Sequence, residues 1–280
     1  MKTRVISSIV AIVLLLAVIF SGKLIFDLCV FALALIASHE FIEAGKSGGY
    51  KPFKPIIYLS TLFVLLAGIK DMFSGIDLLT NPNFILLFVY IITAAVLAVL
   101  VAKYEDFRIQ DAGFTLLSIF YVVFMFAFLP LIRNMENGIY LIWIVFIGAW
   151  GTDTSAYFAG VSLGKHKMLP KVSPKKSFEG FFGGIIGCFA ITVAFGWYLT
   201  SRQIVSFSMY HFVILGILNG LFSQLGDWIA SAVKRYVDIK DYGKIMPGHG
   251  GVLDRFDSIL FISPLVFLYL SMIIEVLHNI

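Results

Sequence analysis

Apolar positions in this chain come in long unbroken runs, at about residues 5–20, 24–39, 55–69, 83–102, 113–131, 139–161, 180–199, 211–233 and 257–277. A helix needs about 20 mostly apolar residues to cross a bilayer. The runs at 83–102, 113–131 and 257–277 meet that length most cleanly, and the others are shorter or carry polar residues. The pattern predicts an all-α, polytopic integral membrane protein of about nine transmembrane helices. The first run follows Lys2 and Arg4, as in a signal peptide, but the cleavage pattern around Phe20–Gly22 is weak and more spans follow. It reads as a retained first helix. No break divides residues 1–280, which read as one membrane domain. Within it, 1–131 is apolar helix and short loop, and 139–277 carries the chemistry.

Composition agrees: 60% of residues are hydrophobic and 14% charged, against roughly 25% charged in soluble domains. Charge sets the orientation. With the N-terminus in the cytoplasm, seventeen Lys and Arg fall on the cytoplasmic side. Lys23, Lys70, Arg133 and Arg202 fall on the other. This is the positive-inside asymmetry. The net charge of +4 therefore calls for no nucleic acid. Basic loops beside a membrane suit anionic headgroups or polyanionic ligands. Cys29 and Cys188 lie in apolar runs and read as free thiols, and no Cys/His spacing suits a metal.

Polar residues are unevenly spread. In the first half, "HEFIE" lacks the second histidine of a zinc protease helix. His39-Glu40 therefore reads as a polar turn at headgroup level. In the second half three clusters stand out. "GTDTSAYFAG" (Gly151–Gly160) sets Asp153 and Tyr157 on one helix face. "KVSPKKSFEGFFGG" (Lys171–Gly184) opens with Ser-Pro, which favours a turn. Its Gly180/Gly184 and Gly183/Gly187 pairs let helix backbones approach, within one chain or between two. In the eighth run Asn219, Ser223, Asp227 and Ser231 recur every four residues, within about 120° of arc on a helix. Such a stripe can glue helices together. An aspartate at mid-membrane depth costs about 2.5–3.5 kcal/mol, so Asp227 needs a partner or a wet cavity.

The segment "PGHGGVLDRFD" (Pro247–Asp257) precedes the last run. Its glycines tolerate positive φ, and successive N–H groups there can form an anion nest. Asp254 and Asp257 sit three apart at a helix start. They can cap that helix. Carboxylates beside a phosphate nest also suit Mg²⁺, which takes one or two carboxylates plus substrate phosphates and water.

"SAVKRYVDIKDYGKIMPGHGGVLDRFDS" (Ser231–Ser258) resembles the signature of the phosphatidate cytidylyltransferases, with S-x-x-K-R, K-D and P-G-H-G-G-x-x-D-R-x-D all met in order. "GDW" (Gly226–Trp228), "DTSAYFAG" and "SPKKSFEGFFGG" are similar to that family too, which often has Thr where Ser177 stands. The resemblance covers roughly Asp153–Asp257 and is highly specific there. It implies transfer of CMP from CTP to phosphatidic acid, giving CDP-diacylglycerol and pyrophosphate with Mg²⁺. It also implies a multi-pass plasma-membrane protein with its site facing the cytoplasm, and leans towards a homodimer.

On that resemblance, Asp227 and Asp254 are the leading metal ligands, with Asp257 and Asp153 behind them. Lys175, Lys176, Lys234, Arg235 and Arg255 clamp phosphates. Ser173, Ser177, Ser231 and Lys240 complete the substrate-binding set. The Gly248–Gly251 nest, with Gly250 between, holds pyrophosphate. His249 either donates a hydrogen bond there or is structural. Two readings compete: an ion-coupled transporter with Asp227 as relay, and a CTP-dependent enzyme with another lipid acceptor. An intramembrane aspartyl protease is excluded, because Gln224 stands where its motif needs glycine.

Overall fold

The computed structural model describes residues 2–69, 82–246, 248 and 250–278. Lys70, Pro247 and His249 lie outside the described residues. Among the described residues, the fold is helical apart from one small hairpin. Among the described residues, seven helices are long and apolar enough to cross a membrane. They are Lys23–Ser47, Asn83–Ala102, Ile109–Asn134, Gly138–Leu163, Phe178–Ser201, Met209–Tyr236 and Leu253–Ile274. Two more of the nine apolar runs form shorter apolar helices, Ile9–Phe20 and Lys54–Ile69. This is a multi-pass membrane protein.

The chain forms two compact units: Met1–Asn134 with Tyr236–Arg255, and Met135–Arg235 with Phe256–Ile280.

The first unit contains α1 (Lys2–Phe20), α2 (Lys23–Ser47), α3 (Lys54–Ser60), α4 (Leu62–Ile69), α5 (Pro82–Ala102), α6 (Ile109–Leu117) and α7 (Phe128–Asn134). Helix α2 packs on α4, α7 and a π-helical stretch, Ser118–Phe124. The apolar run 55–69 breaks into α3 and α4 at Thr61. There the Ser60 and Thr61 hydroxyls bond back to Ile56 O and Tyr58 O, a competition that interrupts helices. Ile42, Ile57, Ile92, Val96, Phe107, Ala112 and Ile119 form a buried cluster. The loop after α2 is tied down by α6: Asp111 accepts from Lys51 N at 2.7 Å, and Thr115 Oγ1 accepts from Phe53 N at 3.0 Å.

The second unit contains α8 (Gly138–Leu163), β1 (Lys167–Leu169), β2 (Ser173–Ser177), α9 (Phe178–Ser201), α10 (Met209–Tyr236, its last residue in the first unit) and most of α11 (Leu253–His278). Helices α8 and α9 meet along small residues. A Cβ added at Gly183, Gly184 or Gly187 would run into Ala159, Ala156 or Ser155 of α8. The glycine pairs thus pack helices within one chain. Helix α10 lies against α9 through Gly216 and Gly220, and against α8 where Asn219 Nδ2 donates to Ile144 O at 3.3 Å. Phe182, Ile186 and Trp197 point outwards, as lipid-facing side chains do.

The hairpin corrects one expectation. Ser173-Pro174 is not the turn; it begins β2, and the turn lies at 170–172. A residue before proline is pushed towards extended backbone, and proline is tolerated in an edge strand.

Candidate functional site

In the second unit, α8, the β1–β2 hairpin, α9 and α10 enclose a cavity of about 560 Å³. Its charged lining is Asp153, Lys167, Lys175, Lys176 and Asp227, and Ser173 and Ser177 face it too. Its apolar wall includes Tyr157, Phe181 and Trp228. These residues arrive together for local reasons. Ser177 ends β2 with extended backbone and caps α9, accepting from Gly180 N at 3.2 Å. This strand-to-helix corner brings Lys175 and Lys176 to the mouth of α9. Lys176 forms an ion pair with Asp227 and lies 5.4 Å from the Trp228 ring centroid. Trp228 stacks on Phe181 at 5.5 Å. Its indole Nε1 is buried and has no protein acceptor among the described residues.

Asp227 has the partner its depth demanded. Ser231 Oγ also donates to its Oδ1 at 3.4 Å. The α10 stripe therefore serves two ends. Asn219 and Ser223 are fully buried in helix packing, while Asp227 and Ser231 are partly exposed. Asp257, half-buried near the start of α11, feels the charges of Asp227, Asp153 and Lys234. Arg235 is exposed. Among the described residues no three His, Cys, Asp or Glu form a ready-made metal cluster. Mg²⁺ needs fewer, because substrate phosphates and water complete its shell. The carboxylates of this unit fit it on those terms.

In the first unit, the motif loop takes positive φ at Gly248 (78°) and Gly250 (89°), positions that suit glycine. Asp254 is 7% exposed and holds the loop together. Its Oδ2 accepts from Tyr242 N at 2.8 Å and Gly251 N at 3.0 Å. Met246 N donates to Gly250 O at 2.9 Å. Lys240 and Arg255 are exposed. The N–H groups of Val252 and Leu253 are taken by Glu40 of α2, at 3.0 and 2.8 Å.

Glu40 corrects another expectation. It is no headgroup-level turn but a buried residue, 4% exposed, inside α2. The signal for it was present: an ionisable side chain within a spanning helix points to function by default. Lys167 lies outside every motif quoted from the sequence, and Trp228 and Phe181 stand inside such motifs without having been singled out as cavity residues.

A helical membrane protein with a lysine-rich, carboxylate-bearing cavity and a glycine-rich polar loop belongs to the class that handles anionic substrates at the bilayer. The chain belongs to the cytidylyltransferase family, whose model matches residues 2–273. It is similar to the phosphatidate cytidylyltransferase of Bacillus subtilis (strain 168), 32% identical over 97% of this chain and 98% of that protein. It is similar to those of Staphylococcus saprophyticus, at 35% identity, and Staphylococcus aureus (strain COL), at 34%. Each of these covers 95% of this chain and 97% of the relative.

Proposed function

We propose that this protein is a phosphatidate cytidylyltransferase, which joins CTP and phosphatidic acid into CDP-diacylglycerol and releases pyrophosphate. The observation that carries this is likeness to enzymes of that name along almost the whole of both chains.

In the reaction, a phosphate oxygen of phosphatidic acid attacks the α-phosphorus of CTP. The bond from that phosphorus to the bridging oxygen breaks, and pyrophosphate leaves with its electron pair. The nucleophile is already an anion, so no activated serine is needed. The obstacle is charge, and positioned cations remove it. In the second unit, Lys175, Lys176, Lys234 and Arg235 are the proposed phosphate clamps. Ser173, Ser177 and Ser231 are proposed substrate contacts. Ser177 also caps α9. In the first unit, Arg255, Lys240 and the Gly248–Gly251 loop are proposed to bind phosphate. Because Gly251 N is bonded to Asp254, that role falls mainly to Gly248 and Gly250. Mg²⁺, when bound, offsets charge on the triphosphate and leaving group. Its proposed ligands are Asp227 and Asp254, with Asp257 and Asp153 behind them.

The finer topology belongs to the same reading. The two shorter apolar helices join the seven to make about nine crossings of one membrane domain. The N-terminus and the reacting groups face the cytoplasm at the plasma membrane, and the protein is a homodimer. The excess of Lys and Arg in one set of loops supports the orientation.

The test is incorporation of radiolabelled CTP into lipid by purified protein with Mg²⁺. Labelled product from phosphatidic acid and none from a polyprenyl phosphate is the expected outcome. No product from folded protein, across lipids and metals, would sink the proposal.

A further inference from the structure

Glu40 lies outside the motif that marks the second half of the chain, yet Gly243 and Gly251–Leu253 of that motif close on it. A buried carboxylate is costly unless its oxygens are satisfied. Here Oε1 accepts from Val252 N and Oε2 from Leu253 N. These are N–H groups at the start of α11, where a negative charge is favoured and first-turn donors lack helical partners. The two ends of this contact are 212 and 213 residues apart in sequence.

The space around the carboxylate is matched to it. A Cβ added at Gly243 or Gly251 would overlap the Glu40 carboxylate. Both glycines have ordinary φ, so room, not backbone conformation, requires them. The next residue of α2 works on the same loop. Phe41 packs on Tyr242 with ring centroids 5.9 Å apart, and Tyr242 N donates to Asp254. Glu40 thus holds the first turn of α11, and Asp254 on that turn holds Tyr242 and Gly251.

We infer that Glu40 is a positioning residue for the reaction: it fixes Gly243 and Gly251–Leu253 and thereby aims Asp254 and Arg255. It touches no substrate. The inference rests on the cytidylyltransferase reading for its effect on rate, but not for its effect on the loop.

The experiment compares the full-length protein with Glu40→Gln, Glu40→Asp and Glu40→Ala. Glutamine keeps the shape but turns an amide NH₂ onto an N–H donor. Aspartate keeps the charge but is one methylene short of both donors. Hydrogen exchange reads the loop without any activity. Peptides covering 243–254 should exchange at least about tenfold faster in Glu40→Gln, with those of α9 and α10 unchanged. Turnover should fall by about 100-fold per folded molecule, the scale of a roughly 1 Å misplacement. The KM for phosphatidic acid should stay within about threefold, and aspartate should restore part of the rate. Gly251→Ala should damage the parent yet add little further loss in the Glu40→Ala background, because the clash has been removed.

Unchanged exchange, or turnover within about twofold of the parent, overturns the inference. So does failure of all three variants to fold, which would make Glu40 a determinant of folding. An inactive parent with the expected exchange pattern would refute the enzyme assignment and leave the loop-holding role standing.

Discussion

Lys176 joins three features of the cavity: it neutralises Asp227, covers Trp228 and sits one residue before the α9 cap. Removing it leaves a partly buried carboxylate without its counter-ion. Lys176→Met is expected to lower CTP incorporation by about 100-fold or more, the scale of losing one preorganised charge contact. Asp227→Asn should do the same, and the double variant should be less than additive because the two side chains touch. Ser177 lets two roles be separated. Loss of its cap should cost about 1 kcal/mol, seen as a lower unfolding temperature for Ser177→Ala. A substrate contact would add a raised KM, which the cap alone does not predict. The sequence marked Asp227 and Lys176 through charge at membrane depth and through motif. It could not reveal that they pair, since they are 51 positions apart and only the packing of α9 and α10 decides it.

At the scale of elements, the close meeting of α8 and α9 is the most exacting feature of the second unit. Gly183 and Gly187 face Ala159 and Ser155 with no room for a side chain. Gly187→Leu is expected to destabilise the protein by at least about 1–3 kcal/mol through overpacking. The check is the yield of monodisperse protein and its unfolding temperature. The same change would displace Asp153 and Tyr157, which line the cavity from α8. The glycine spacing was plain in the sequence, but its partner helix was not. Likewise Ser-Pro signalled a break in helix. That the break became a strand followed from pairing with Lys167–Leu169, a contact outside the local pattern.

For the whole molecule, two outcomes test the membrane and metal readings. Single cysteines at Lys171 and at Arg202, in a chain with Cys29 and Cys188 replaced, should react with an impermeant thiol reagent from opposite faces of sealed vesicles. Reaction from the same face would overturn the proposed topology. Chelation should abolish CTP incorporation, and Mg²⁺ should restore it. Ca²⁺ should restore less, because it is larger and prefers six to eight oxygen ligands. Full activity in chelator would remove the metal from the mechanism.

Hydropathy alone determined the helical, membrane-spanning character, because bilayer thickness imposes one length on every crossing. The motif Ser231–Ser258 pointed to the chemistry through its resemblance to the phosphatidate cytidylyltransferase signature, because a long pattern of fixed residues in order and spacing is highly specific. Tertiary structure decided what each charge meets. Glu40 looked like a headgroup-level turn because a local window shows it among other polar residues, Ser38, His39 and Glu43, at the end of an apolar run. Its partners are N–H groups more than 200 residues away. Backbone donors look alike in every sequence, so a carboxylate that binds them leaves no motif behind.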